Sequence, residues 1–218
     1  MYDPGDDWPL GCIRLRNGSV TLRPVRECDL PSLVRLLPDD AEHDPSSVML
    51  EGLDLEANRR RLFMQSYWKS RASWSVDRWW IMFLATRGDH AVGVQALEAD
   101  HFPALRTVDS FSWLDTAVRG QGMGTAMRTA VLTLAFDHLH AEAAVSSARE
   151  DNRPSLGISR RLGYEDNGVS RSLSPTGPCK LRHMILRRDT WMARGHGSDV
   201  LVEGLSGCAP WFGVNVEG

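Results

Sequence analysis

Leu114 to Thr125, LDTAVRGQGMGT, carries the chain from an extended run into a helical one. Thr107 to Leu114 reads as a strand. From about Met123 to Leu139, the residues Met127, Ala130, Val131, Leu134 and Ala135 share one helical face. Between the two, Gly120, Gly122 and Gly124 let another group come close to the backbone. A helix N-terminus presents unpaired N–H groups and the positive end of its dipole, so this unit suits an anion. Arg119 adds a charge-assisted donor. A tight turn that needs glycine only for its backbone is the plain alternative. The glycine spacing does not fit the dinucleotide fingerprint G-x-G-x-x-G, and no G-K-[ST] follows as in a P-loop. Both absences count against dehydrogenases and NTPases.

Upstream, Trp79 to Thr86 and Ala91 to Ala99 read as strands around a Gly88-Asp89 hairpin signal. Leu55 to about Ser70 reads as a helix with Leu55, Leu62, Phe63 and Trp68 among its apolar positions, after a loop from Pro38 to Ser47. Ser19 to Arg23 alternates as a first strand that Pro24 ends. Asp29 can cap a helix opening at Leu30-Pro31, with Leu33, Leu36 and Leu37 as its buried stripe. Downstream, Ala143 to Ala148 is a short strand. Pro154 suits the start of a helix that runs to Leu162 and stops at Gly163, and Lys180 to Arg187 is a late strand. Pro4, Gly5, Pro9 and Gly11 make the beginning irregular. The expected organisation is a leader over 1–18, one mixed α/β domain over 19–194 and a Gly-rich C-terminal extension over 195–218.

The 218 residues are 42% hydrophobic and 24% charged, a globular balance with enough length for a substantial core. A net charge of -3 gives no reason to expect nucleic acid as a partner. Any anionic ligand needs local capture instead. Cys12, Cys28, Cys179 and Cys208 form no C-x-x-C pair, which suits a reduced, cytoplasmic setting. The acidic start MYDPGDDWPL is unlike a signal peptide, and no apolar run approaches the roughly 18 residues that span a bilayer, so no membrane association is expected. His138 and His140 lack further ligand spacing, and no metal is expected.

A second motif lies downstream at Asp151 to Tyr164, DNRPSLGISRRLGY. Together with Arg119, Gly122 and Gly124, which match the pattern [RQ]-x-x-G-x-[GA], it makes the chain resemble the GNAT superfamily, in particular its RimJ/RimL-like branch. Asn152 and Ser155 fill that branch's N-x-x-S positions, and Gly163-Tyr164 close the segment. The opening VTLRPVRECDLPSL and the later RRDTW at 187–191 are similar to the family's first and last elements, so the resemblance covers about 19–192. VGVQAL, DHFPALRTVDSFSWL and the late CAPWFG are similar to actinobacterial members described as succinyltransferases.

The resemblance implies a GNAT fold: a central mixed, mostly antiparallel, splayed sheet flanked by helices. Its diverging strands would be Thr107 to Leu114 and Ala143 to Ala148. It implies an acyl-CoA-dependent N-acyltransferase with acetyl-CoA or succinyl-CoA as donor. Backbone groups of Trp113 and Leu114 would pair with pantetheine. The N–H groups from Arg119 through Gly120, Gln121, Gly122, Met123 and Gly124 to Thr125 would hold the pyrophosphate. Asn152 would contact pantetheine, and Arg161 would reach phosphate. Asn152 also suits a simple helix N-cap.

Transfer to an amine needs a base, because a free alkylamine is mostly protonated at neutral pH. Asp109, in DSFSWL, occupies the acidic position of the branch's E-x-x-x-W-L pattern. An ordinary polar strand residue is the alternative, with Glu98, Glu150 and His101 as other bases. Carbonyl polarisation would come from a backbone N–H. The family's tyrosine, seven residues after the Asn, is Ser159 here, so Ser155 is the candidate partner of the departing sulfur, against a role in the helix backbone alone. No cysteine lies in the motifs, which implies direct attack in a ternary complex. Arg87, Arg106 or Arg149 would serve a succinyl carboxylate. Trp74, Trp79 and Trp80 suit either a pocket wall or the core. The acceptor is an amine-bearing small molecule or a protein amine. A non-catalytic acyl-CoA sensor and a structural role, with the tail pairing subunits as a homodimer, are the competing classes.

Overall fold

The computed structural model describes residues 8–41, 47–174 and 177–214; Pro4, Gly5 and 42–46 of the loop after Pro38 lie outside them. Within the described residues one sheet has nine strands: β1 (Arg14–Asn17), β2 (Val20–Pro24), β3 (Arg78–Arg87), β4 (His90–Asp100), β5 (Thr107–Leu114), β6 (Ala143–Arg149), β7 (Glu165–Ser174), β8 (Gly177–Arg187) and β9 (Leu201–Glu203). Their order is β7-β8-β6-β5-β4-β3-β2-β1-β9. Every pair whose register is defined is antiparallel except β5 with β6.

Alternation along the strands divides the core between two faces. Trp79, Ile81, Phe83 and Ala85 of β3 point to one side, beneath α3 (Met123–Thr133) and α4 (Arg153–Leu162). Met82 and Leu84 point to the other, with Val94 and Ala96 of β4 and Trp113 of β5, beneath α1 (Leu30–Leu36) and α2 (Leu55–Ala72). α3 runs on through a π turn, Leu134–His138, and α5 (Arg188–Arg194) follows β8.

Several elements differ from the sequence reading. Arg14–Asn17, expected within an irregular leader, is a strand: Ile13 and Leu15 are buried, but four residues are too few to show a period. Asp29 does not cap α1. Its carboxylate instead accepts the Arg26 N–H and two bonds from Arg23, each at 2.7 Å. In α2, capped by Asp54, Phe63 and Tyr67 make the buried contact, whereas Leu55 and Trp68 are 58% and 43% exposed. β7 was not legible because it is a polar, largely exposed edge strand without alternation.

The C-terminal residues complete the sheet and the core. β9 pairs with β1, and Phe212 is buried with its ring 4.9 Å from Trp79 and 5.4 Å from Trp74. Trp74 Nε1 donates to the Trp211 carbonyl at 3.1 Å. Trp79 is thus a core residue, while Trp74 packs on it and, with Trp80, also lines a small cavity beside Trp8 and Tyr67. Gly204 is required where the tail crosses Cys12, since a Cβ there would lie 2.2 Å from the Cys12 carbonyl.

Candidate active site

β5 and β6 pair only at Thr107–Ala143, Val108–Ala144 and Asp109–Val145. Beyond Asp109 they part. β5 stays with β4 as far as Leu114, and β6 stays with β8 as far as Arg149. The parting opens a fork in the sheet, with Asp109 at its apex and backbone along its lips that lacks a strand partner on that side. β5 runs on into the glycine turn, and β6 into Asn152 and α4. The two helices that follow sit close together, for a Cβ on Gly124 would meet Ile158 Cδ1 at 3.1 Å.

At the far end of the fork, Gly120 and Gly122 hold left-handed φ values of 75° and 81°. Gly122 is the N-cap of α3 and provides no side-chain cap, so the first-turn N–H groups of Met123, Gly124 and Thr125 point outward uncapped by any side chain. A Cβ at either Gly120 or Gly122 would meet nothing within 4 Å. This open, donor-rich concavity fits a phosphate group. Three arginines surround it. Arg161 donates to Thr125 Oγ1 at 3.2 Å, Arg87 donates to Gln121 Oε1 at 2.8 Å, and Arg119 donates to the Leu114 carbonyl at 3.1 Å and to both carboxylate oxygens of Asp40. The sequence offers Arg87 only to an acyl carboxylate; its approach to Gln121 depends on the β3 register.

On the opposite lip, Asn152 Oδ1 accepts the Ser155 N–H at 3.2 Å and so caps α4. The Ser155 carbonyl accepts from Ser159 Oγ at 3.2 Å, and Ser159 Oγ accepts from Arg128 at 2.8 Å. Ser159 is buried.

Asp109 lies on the α1/α2 face of the sheet, directly across from Glu98 on β4, which in turn faces Trp80 on β3. The Trp80 and Phe111 rings on this face are 6.3 Å apart. Burial pushes the Asp109 carboxyl up to about 6, against the Ser110 N–H bond and the charges of Arg128 and His183, which pull it down. That value leaves a carboxylate at neutral pH that is more basic than an ordinary one. His183, on β8, shares a 2.7 Å hydrogen bond with Ser170 on β7, a neighbour that no local motif announces. Of the other candidate bases, Glu150 is paired with Arg182 at 3.0 Å. His101 is paired with Asp77 at 2.8 Å in an exposed group with Asp100. Arg106 binds the Leu139 carbonyl and lies over the Phe102 ring, while Arg149 pairs with Asp151. No described helix is long and apolar enough to cross a membrane.

A family model described as "Acetyltransferase (GNAT) domain" matches residues 19–165. Among solved structures, Mycobacterium smegmatis RimJ in complex with CoA-disulfide is similar at a TM-score of 0.66 and 21% identity, over 85% of this chain and 94% of that one. RimL, a ribosomal L7/L12 alpha-N-protein acetyltransferase in complex with coenzyme A, gives 0.61 and 17% over 79% and 96%. A spermidine N-acetyltransferase SpeG chimera from Vibrio cholerae and hSSAT gives 0.62 and 12% over 80% and 99%. At these identities the structural likeness speaks for the fold.

Proposed function

The chain belongs to the GNAT acetyltransferase family, and from that premise we propose that it transfers an acetyl or succinyl group from coenzyme A to a primary amine by direct attack in a ternary complex. The observation that carries this reading is the fork between β5 and β6, with a glycine-turn anion site at its open end and a basic carboxylate at its apex.

In this reading the N–H groups from Arg119 to Thr125 hold the pyrophosphate at the positive end of α3. Arg161 and Arg87 reach phosphate oxygens from either side, and Arg119 joins them by exchanging Asp40 for phosphate. The pantetheine arm runs along the open edge of β5, against Trp113 and Leu114, with Asn152 on the other lip. The acceptor approaches from the α1/α2 face, where Glu98 and Asp109 favour a cation beside the Trp80 and Phe111 rings.

Asp109 takes a proton from the ammonium, directly or through a water, and leaves the neutral amine as nucleophile. A β5 backbone N–H stabilises the oxyanion. Ser155, in the first turn of α4, hydrogen-bonds to the departing thiolate, which the helix dipole also favours. Ser159 does not take the tyrosine's part, because it is buried against Arg128. Acetyl is the favoured donor group: Arg87 sits at the glycine turn, and Arg106 is engaged at the Leu139 carbonyl, which leaves both poorly placed for a succinyl carboxylate at the apex. A small amine is the favoured acceptor over a protein amine, since the acidic and aromatic groups on this face are compactly set. Both acceptor types appear among the structural neighbours.

The test is turnover of an amine panel with acetyl-CoA and succinyl-CoA by wild type and Asp109→Asn. Loss of a proton-accepting base lowers kcat/KM by about 10²–10⁴-fold. An Asp109→Asn enzyme as fast as wild type would reject this assignment, and binding without turnover of any amine would favour a sensor.

A further inference from the structure

β2 leaves β3 at Pro24, whose register partner is Phe83, and one further bond runs from the Val25 N–H to the Met82 carbonyl at 2.8 Å. From Arg78 to Ile81, β3 has only β4 as a strand partner. There Trp8, Leu10 and the last turns of α2 frame a cavity of about 20 Å³ against Trp74 and Trp80. It has room for one small polar group. An outer cleft of about 450 Å³ shares its Trp8, Tyr67 and Arg71 walls and adds Trp68 and Glu27. That volume, with aromatic walls and few polar groups, is in the range of small-molecule sites.

Two groups here point to an occupant. Trp80 lines the cavity, and its indole Nε1 is buried with no hydrogen-bond partner, a costly state. The indoles of Trp79 and Trp113 are unpartnered too, but neither lines the cavity. Arg71 borders both cavity and cleft. Its guanidinium lies 5.1 Å from the centre of the Trp8 ring and 5.7 Å from that of Tyr67, and among the described residues it pairs with no carboxylate. That stacked guanidinium decides the sign of the occupant. Aromatic rings alone also suit a cation, but Arg71 already covers two of them and repels one. A carboxylate gains a charge-assisted bond from Arg71 and accepts the Trp80 N–H. Glu27, at 3.4 Å from Trp68 Nε1, borders the outer cleft and favours the anion at the inner end.

We propose that cavity and cleft together bind a small aromatic carboxylate, its carboxylate between Arg71 and Trp80 Nε1 and its ring among Trp8, Tyr67 and Trp68. Trp68, largely exposed on α2, thereby gains a partner that packing within the chain does not give it. The site is distinct from the coenzyme A fork. Trp80 stands two strand spacings from Asp109, about 10 Å, on the same face of the sheet. Its ring also meets that of Phe111, so the site shares one wall with the acceptor face.

The experiment titrates phenylacetate, phenylacetamide and phenethylammonium into the full chain, with and without saturating coenzyme A. Tryptophan fluorescence is the readout, since Trp8, Trp68 and Trp80 border the site. Phenylacetate is expected to bind saturably, at least about tenfold more tightly than the amide, and equally well in the presence of coenzyme A. Arg71 is exposed, so Arg71→Gln leaves the fold standing, as its melting curve checks, and it removes the advantage of the acid over the amide. Arg71→Lys, which keeps the charge, retains part of that advantage. Trp80→Phe keeps a ring, loses the N–H and weakens the acid several-fold. The proposal is overturned by equal binding of acid and amide, by no saturable binding of the acid, or by a preference that survives Arg71→Gln. Displacement of the acid by coenzyme A would place it in the fork, and tighter binding of the ammonium would make the rings a cation cage; either result also overturns it.

Discussion

Arg119 and Asp40 form a two-pronged ion pair across the glycine turn, with N–O distances of 2.6 and 2.7 Å. The carboxylate is held below its usual range by that guanidinium, and both side chains are substantially exposed. The residue best placed to meet a phosphate therefore already holds an anion. Exposed pairs of this kind contribute at most about 1 kcal/mol. Asp40→Asn is expected to tighten coenzyme A binding by up to about fivefold at low ionic strength, read by calorimetry, with the difference shrinking as salt is added. Weaker binding by Asp40→Asn would instead make the clasp part of the ligand site.

Gly122 couples stability and ligand capture. Alanine fits the space but not the backbone, because φ is 81° there. The left-handed region costs a non-glycine residue about 1–2 kcal/mol. Gly122→Ala is expected to melt a few degrees lower and to bind coenzyme A at least about tenfold more weakly, as the first-turn N–H groups turn away. A variant that melted lower yet bound normally would separate the turn from the site.

The Asp109 carboxyl sets a pH dependence of both rate and stability. Its carboxylate form is the active one, so kcat/KM rises with pH through about 6. For stability the sign is opposite. A folded-state value raised above 3.8 gives a contribution that is fully present below that value and is lost as pH rises through about 6. Asp109→Asn has no such loss. Its melting temperature relative to wild type should climb between acid and neutral pH, while its activity is lost. A constant difference across that range would mean that the carboxyl is not desolvated.

Phe212 tests the docking of the tail. Removing its buried ring should cost about 3–5 kcal/mol, a fall in melting temperature on the order of 10 °C for a chain of this size. Coenzyme A affinity, measured well below the transition, should not change, because the ring packs on Trp79 and Trp74 rather than near the fork. Scanning fluorimetry and calorimetry give the two readouts.

The parts of this molecule legible in its sequence are those with local causes. Thr107–Leu114, the Gly88-Asp89 hairpin, the glycine turn and the Pro154–Gly163 helix each announce themselves through periodicity, caps or turn chemistry, and the structure places them close to the expected bounds. What was hidden depends on distant partners. Arg128 sits between Met127 and Thr129 in a helix, and nothing nearby in sequence says that its charge faces inward toward Ser159. His183 reaches the Asp109 face only through the pairing of β6 with β8. The tail's buried Cys208 and Phe212 lie in a Gly-rich stretch whose contacts lie far back in the chain, near Cys12 and Trp79.

The central claim is that the fork and glycine turn bind an acyl-CoA. It is tested most directly by calorimetric titration of acetyl-CoA into wild type and into an Arg119→Ala/Gly122→Trp double variant. The account predicts saturable binding of one ligand per chain by wild type and none by the variant, whose indole would fill the open space at the N-terminus of α3. No binding by wild type, or equal binding by the two proteins, would contradict it.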